Sequence, residues 1–418
     1  MGEIYCRRSL VRLSWGRTAL PVRTTEFPRR PPRFGPAEIE ALTAALSKNE
    51  LWYWQKESIV ASTMTKYAEK FGAHRAVATS SGTASLHVAI AAARMPAGSE
   101  VITTPITDIG TINAILYQNL IPVFADVDPD TAMPRPEHIT AAITDRTRGV
   151  IAVHLTGCPM EIEDVASICS RAGLALIEDC AQALGATYRG KFVGLFGQYG
   201  CYSLNDQKHI TSGEGGFVLT HTDYDYFLAH NYADKFYDRY GRNVRLQALA
   251  PNYRMSELDG AMAAAQLPKL DAIIRKRRTL GDRLNDELSK IRGIIPQQKP
   301  PGAECSYFFY LFRIDPRIIS CSRDGFVRGL AREGIPARGA YVREPIYRSH
   351  YFLQKSFFPG VWPAEVVAGR SYDYKSVSLP GTEEAVASGI ILDLHEGFED
   401  SDIDDYIAAI DLVAKNNR

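Results

Sequence analysis

Leu174–Asp179 reads LALIED, a short apolar run that ends on a carboxylate, and Tyr202–Gly216 reads YSLNDQKHITSGEGG, with Lys208 between a serine and a glycine turn. Asp179 and Lys208 stand 29 positions apart. Such a pair suits a pyridoxal phosphate site. A lysine amine forms the Schiff base, and a carboxylate keeps the pyridine nitrogen protonated so that the ring can draw electrons. Taken singly, the lysine reads as a solvated side chain and the aspartate as a strand-end carboxylate capping a turn. Taken together, they favour an enzyme.

Around these segments the chain alternates short apolar runs with helical patterns from Pro36 to about Leu270. Ile39, Leu42 and Leu46 give a first helix one apolar face, and Ser85–Arg94 is alanine-rich and helical in character. Strand-like runs follow at Val101–Thr104, Pro122–Ala125, Val150–Val153 and Leu174–Ile177. Between the last two, Ile162, Val165, Ala166 and Cys169 fall on one helical face. This order predicts an α/β protein whose mostly parallel sheet carries helices on both faces and binds its ligand beyond the carboxyl ends of the strands, where Asp179 sits. Gly216–Thr220 reads as a further strand paired with Tyr199–Leu204. From Lys269 a long charged helix leads out of this unit. Cys305–Ile314 then reads as a strand and Arg323–Glu333 as a helix, a smaller α+β unit. The expected division is an N-terminal arm over residues 1–35, a large domain over 36–270 and a small C-terminal domain over 271–418.

Composition narrows the class. The chain has 418 residues, 45% hydrophobic and 23% charged, with Lys+Arg and Asp+Glu both at 48. Zero formal net charge argues against a dedicated nucleic-acid binder, and no apolar run reaches the length of a membrane span. Seven cysteines without CxxC spacing (Cys6, Cys158, Cys169, Cys180, Cys201, Cys305, Cys321) argue against a zinc site or disulfide framework and for reduced thiols in the cytoplasm. The first 33 residues hold eight arginines against Glu3 and Glu26, with no secretory core behind them. A surface-lying or disordered arm is the expectation there.

Other residues carry paired readings. Ser81-Gly82-Thr83 opens the alanine-rich helix, either as a phosphate seat on free backbone N–H groups or as a plain N-cap. Gln182 lies over or beside a cofactor ring, or is a helix-surface amide. Ser203 donates to a phosphate or to a local turn, and Asn252 is a turn residue after Pro251 or a polar contact to a phosphate. Gly213, Gly215 and Gly216 serve turn geometry.

These blocks resemble the DegT/StrS family of sugar aminotransferases, a branch of the aspartate-aminotransferase fold (fold type I), from Arg33 to the C-terminus. The matching stretches are SSGTASLHVAI at 80–90, PVFADVDPDT at 122–131, VHLTGCPMEI at 153–162, IEDCAQALGATYRGKFVG at 177–194, the lysine segment, and NYRMSELDGAMAAAQLPKL at 252–270. The resemblance implies pyridoxal 5′-phosphate, passing through pyridoxamine 5′-phosphate in the half-reaction. It implies Lys208 as the Schiff-base lysine, Asp179 as the pyridinium partner, Gln182 beside the ring, and Gly82, Thr83 and Ser203 at the phosphate. It implies a homodimer with shared sites, Asn252 reaching the neighbouring subunit's phosphate. A related dehydratase branch carries histidine at the lysine position. Lys208, followed by His209, favours transamination.

Two departures stand out. TPITDIGTINA at 104–114 puts Asp108 where the family usually places a ring-stacking aromatic, and Pro251 stands where glycine is common. Stacking is then expected from His154 or another side chain, or Asp108 contacts a hydroxyl-rich or amine-bearing substrate. The expected reaction takes an amino group from glutamate or glutamine to a keto-sugar or keto-cyclitol. A nucleotide-linked acceptor would call on Arg239, Arg242, Arg245 or Arg338, all of which also read as surface charges. The rivals are a dehydratase on the same cofactor and a non-catalytic regulator that keeps the fold.

Overall fold

The strand–helix alternation forms a seven-stranded sheet. A computed structural model describes residues 21–53, 57–237 and 248–418. Its strands are β1 (Arg75–Thr79), β2 (Glu100–Thr103), β3 (Ile121–Phe124), β4 (Thr147–Val153) and β5 (Ala175–Asp179), then a short hairpin of β6 (Thr187–Tyr188) and β7 (Lys191–Phe192), then β8 (Tyr199–Ser203) and β9 (Gly216–Thr220). The sheet order is β1-β9-β8-β5-β4-β2-β3. Strands β3, β2, β4, β5 and β8 run parallel, and β9 is antiparallel to both β8 and β1. The expected pairing of Gly216–Thr220 with the strand from Tyr199 is therefore present, in the register Tyr199↔Thr220.

Strand periodicity explains how both faces are filled, because alternate side chains point to opposite sides. Val77, Val101, Ile151, Val153, Ile177, Cys201 and Val218 share one hydrophobic cluster with residues of helices on that face. Their neighbours Ala76, Ala78, Tyr202, Phe217 and Leu219 join a second cluster. Ile102, Val150, Ala152 and Leu176 join a third. The covering helices are α1 (Pro36–Ser47), α2 (Ile59–Phe71), α3 (Gly82–Ala92), α4 (Ile109–Tyr117), α5 (Pro136–Ala142), α6 (Ile162–Ala172), α7 (Asp223–Ala233) and α8 (Glu257–Gln266). On α6, Ile162, Val165 and Cys169 are buried, as their spacing predicts.

The long charged helix is α9 (Leu270–Leu288). It leads to a four-stranded antiparallel sheet, β10-β12-β14-β13 in order, built from β10 (Ile294–Pro296), β12 (Tyr310–Ile314), β13 (Ala337–Gly339) and β14 (Gly389–Leu392). Between β10 and β12, β11 (Ala303–Glu304) pairs with β6. Helix α10 (Arg323–Arg332) and the final helix Asp400–Lys415 pack in this region. The third cluster continues without a break from Ile102 and Val150 to Phe312, Ile390 and Ile410, so one core joins the two sheets.

Two expectations are corrected. The strand expected over Cys305–Ile314 is confined to Tyr310–Ile314. Tyr307 adopts φ 49, which breaks the extended path, and Ser306 N and Phe308 N donate instead to Gly157 O and Thr156 O, at 2.8 and 2.7 Å. On α1, Ile39 and Leu46 are 65% and 57% exposed, while the buried side carries Glu38, held by Lys269 and Gln266. The apolar stripe does not face the core of this chain. Of the two readings of the N-terminal arm, the described part Val22–Gly35 follows the surface-lying one, held there by Arg23 on Asp402 and Asp405 and by Phe27 on Phe398 and Tyr406. Arg residues before position 21, and Cys6, lie outside the described residues. Among the described residues no helix is long and apolar enough to cross a membrane.

One buried carboxylate fastens two of these helices. Glu257, fully buried at the start of α8, accepts from Ser58 Oγ (2.6 Å) and Ile59 N (2.6 Å) at the start of α2. Glu257→Ala strands these donors, and the expected loss is about 3 kcal/mol, from two hydrogen bonds to a charged acceptor. Urea unfolding should show a lower midpoint at unchanged slope.

Candidate active site

The cleft forms where parallel strands end. Strand β5 delivers Asp179 at its last position, β8 ends at Ser203, and β1 leads through Ser80 and Ser81 into α3. Ser81 caps α3 by accepting from Ala84 N at 3.0 Å, which leaves the first N–H groups of the helix beside the cleft. Gly82 is required there: a Cβ would lie 2.7 Å from Ser203 Cβ. The cavity is about 320 Å³, and its lining includes Gly82, Thr83, Asp108, Asp179, Gln182, Ser203 and Lys208. Seven of the eight site residues named from the sequence thus meet in one place.

The eighth does not enter this cleft. Asn252 is exposed, and its Oδ1 accepts from Arg254 N at 3.4 Å. Arg338 is a surface residue paired with Asp393 at 3.0 Å and does not line the cleft. Arg239, Arg242 and Arg245 lie outside the described residues. His154 is corrected as a source of ring stacking: it is fully buried away from the cleft, its Nε2 against Glu178 at 3.0 Å and its Nδ1 accepting from Met160 N at 3.1 Å. Asp108 caps α4, accepting from Gly110 N at 2.8 Å.

Electrostatics set the two central groups against each other. Asp179 is buried, and burial raises its pKa, opposed by Thr111 Oγ1 donating at 2.7 Å, Ala181 N donating at 3.1 Å and the charge of Lys208. Burial lowers the Lys208 pKa, opposed by the charges of Asp179 and Asp108. A lysine moved toward neutrality is a usable nucleophile and proton carrier, and a buried carboxylate short of positive charge is a partner for a protonated ring nitrogen. The donor set fits pyridoxal phosphate. Lys208 and Asp179 would meet its reactive and ring-nitrogen ends. The helix start opened by Gly82, which lets α3 pack close against Ser203, would with Thr83 and Ser203 seat its phosphate.

Two contributors escaped the sequence reading, both from the segment around the four-stranded sheet. Phe308 places its ring 4.5 Å from Lys208 Nζ, and Tyr341 lines the cleft. Among the described lining residues Tyr341 is the one aromatic. Its ring stacks on Phe309 at 5.5 Å, and it shares the cleft lining with Gln182, whose Oε1 accepts from Thr156 N at 2.8 Å. The aromatic run Tyr307–Tyr310 was the available signal, but a strand reading gave no reason to aim Phe308 at a lysine 100 positions away.

Comparison with known proteins agrees with this geometry. Residues 33–411 match the DegT/DnrJ/EryC1/StrS aminotransferase family. The chain is 30% identical over 407 residues, 95% of its length and 96% of the relative's, to a Micromonospora echinospora protein whose name gives the activity L-glutamine:3-amino-2,3-dideoxy-scyllo-inosose aminotransferase. Among solved structures it is similar to an aminotransferase from Psychrobacter cryohalolentis (TM-score 0.81, 26% identity, 94% of this chain and 99% of that one). It is also similar to 3-amino-5-hydroxybenzoic acid synthase (TM-score 0.79, 26% identity, 95% and 100%).

Behind Asp179 lies a second carboxylate with another task. Glu178 is fully buried and accepts from Gly194 N (2.7 Å), Phe196 N (2.6 Å), Gly197 N (2.6 Å) and the ring of His154. Cys180 lies close enough to complete a three-residue cluster with His154 and Glu178, but these hydrogen bonds already occupy the carboxylate. Burial alone would raise the Glu178 pKa; the His154 and backbone hydrogen bonds win and hold it below its ordinary 4.5. The stability this contributes is present above that unfolded-state value and is lost as pH falls through the folded one. Glu178→Gln should therefore cost about 3 kcal/mol at neutral pH. Urea unfolding as a function of pH should show the gap from the parent closing below 4.5.

Proposed function

The chain belongs to the DegT/DnrJ/EryC1/StrS aminotransferase family and is a transaminase; we propose that it uses pyridoxal phosphate to move an amino group from glutamine or glutamate to a keto-cyclitol or keto-sugar. The observation that carries this reading is the convergence of buried Asp179 and Lys208 in one cleft under the start of α3. When bound, the cofactor supplies an electron sink that stabilises negative charge at the substrate carbon.

The chain's own residues do the rest. Lys208, its amine made less basic by burial, holds the cofactor between turnovers and, once released, moves the proton from the substrate carbon. Asp179 keeps the ring nitrogen protonated, with Thr111 and Ala181 fixing its two oxygens. Ser203, Thr83 and the first N–H groups of α3 would hold the phosphate, and Gln182, held in place by Thr156 N, would contact the ring.

Asp108 bears on the acceptor. It is an exposed carboxylate in the cleft lining, with Oδ1 engaged by Gly110 N. Together with Glu214 it gives the mouth acceptors of hydrogen bonds, which favours a hydroxyl-rich or amine-bearing substrate. The named activity of the Micromonospora relative, on an amino-bearing inosose, supports the same class. We also propose a homodimer in which Asn252 serves the neighbouring subunit. Ile39, Leu46, Tyr117 and Leu249 stand exposed, apolar surface that a second copy would cover. A cytoplasmic setting follows the unpatterned cysteines.

Absorption spectra of the protein with pyridoxal phosphate, before and after L-glutamine or L-glutamate, test the first half-reaction. A visible band that is lost to donor, and that Lys208→Ala never forms, is expected. Without any such band in folded protein, the regulatory reading takes over. Asp179→Ala should lower turnover by about three orders of magnitude, in the range that loss of a central catalytic group produces, with the fold intact by circular dichroism. Near-parental turnover in that variant would overturn the Asp179 assignment.

A further inference from the structure

The segment Val22–Gly35 touches three parts of the molecule: the final helix, the α8–α9 junction and the turn that carries Lys208. At its start, Arg23 N donates to Glu333 O at 3.0 Å and its guanidinium pairs with Asp402 and Asp405 on the final helix. Phe27 then stacks on Phe398 and Tyr406, and Pro28 O accepts from His395 at 3.1 Å. At its end, Arg33 O accepts from Gln266 Nε2 (2.9 Å) and Lys269 Nζ (2.8 Å), where α8 passes into α9. Between these anchors, Arg33 Nη1 donates to Asp206 O at 2.7 Å, and Arg30 Nη1 donates to Gln207 O at 3.1 Å and Asp206 O at 3.4 Å.

Those carbonyls belong to the turn that presents Lys208. Asp206 and Gln207 are exposed and belong to neither strand nor helix. The turn is closed by Lys208 N donating to Asn205 O at 2.9 Å and by Gln207 N donating to Asn205 Oδ1 at 3.0 Å. A catalytic amine on such a turn is placed less precisely than one on a sheet or helix, unless other groups fix the backbone. Two guanidinium groups anchored at both ends of the segment do so. Burial, with the neighbouring charge of Arg30, lowers the pKa of Arg33 to about 10, which leaves it charged at neutral pH.

We propose that Arg30 and Arg33 are positioning residues for Lys208: they hold the carbonyls of Asp206 and Gln207 and so fix the turn from which the amine reaches the cleft. The segment is then a strap that couples the catalytic turn to the final helix through Arg23 and Phe27. This rests on the reading of Lys208 as the residue that holds the cofactor.

The test separates binding of pyridoxal phosphate from its capture by the lysine. Quenching of protein fluorescence follows binding to the full-length apo chain, and growth of the visible band follows capture. At saturating pyridoxal phosphate, Arg33→Ala and the Arg30→Ala/Arg33→Ala double variant should develop the band about tenfold more slowly than the parent, the order expected when a reacting group is slightly misplaced. Arg33→Lys, which keeps a cation and one donor to Asp206 O, should recover most of the rate. Parental capture rates in the variants, with only a lowered thermal midpoint, would show that the strap is a staple and overturn the proposal. If the double variant does not fold, the single variants and Arg33→Lys carry the comparison. A parent that forms no band, or a Lys208→Ala protein that forms it equally, overturns the lysine reading itself and the inference with it.

Discussion

Consecutive side chains of a β-strand point to opposite faces, and β5 ends on two carboxylates that this rule sends into different surroundings. Glu178 turns away from the cleft and gathers three backbone N–H groups of the 194–197 turn, while Asp179 opens into the cleft. The turn that Glu178 holds leads directly into β8, with Gln198 N bonded to Leu176 O at 2.7 Å and Gly200 packed so closely on Gly194 that a Cβ would lie 2.2 Å from its carbonyl oxygen. Strand β8 in turn ends on Ser203 and feeds the turn of Lys208. The positions of the carboxylate and the lysine thus descend from one buried, hydrogen-bonded anion.

Leaving such an anion without its donors would be far costlier than never burying it, because an unpaired charge in a low-dielectric interior keeps the whole desolvation penalty. That asymmetry makes Glu178 a fixed point. Asp179 is the opposite case, a buried carboxylate with two donors and a nearby lysine, and its burial raises its pKa. The same strand therefore carries one carboxylate stabilised as a structural anchor and one held in readiness for a cation. Strain of this second kind is common at sites that bind a charged group.

The cleft is not the product of one sheet. Phe308 and Tyr341 come from the segment around the four-stranded sheet, and the single core running from Val150 to Ile390 makes their approach to Lys208 and Gln182 a matter of rigid packing. The pairing of β11 with β6 and the strap from Arg23 to Arg33 reinforce that junction from two sides.

Local pattern in the chain was enough for the parallel sheet, for α6, for the β8–β9 pair and to single out six of the residues now gathered in one cleft, with Asp108 added by the family resemblance. Each depends on short-range rules: period-2 alternation, helical spacing, a glycine opening a helix, a carboxylate closing an apolar run. The resemblance of several ordered blocks to one family carried the reaction further than spacing could. Three things lay beyond that reach. The 305–309 stretch reads as strand, yet Tyr307 takes φ 49 because Ser306 and Phe308 bond to the 156–157 segment, a partner some 150 positions away. The stripe of α1 reads as core, yet Ile39 and Leu46 face outward because Glu38 has its own cation and amide inside. The basic arm reads as surface-lying or disordered, and neither reading says that Arg30 and Arg33 reach carbonyls on the lysine turn. Sequence by itself determined the strand and helix order and which groups were candidates for the chemistry, since their identities and local settings are written in short segments. Only the tertiary structure decided which face of α1 is buried, what braces Gln182 and what holds Lys208 in place, because each of these depends on partners distant in the chain whose meeting no local periodicity encodes.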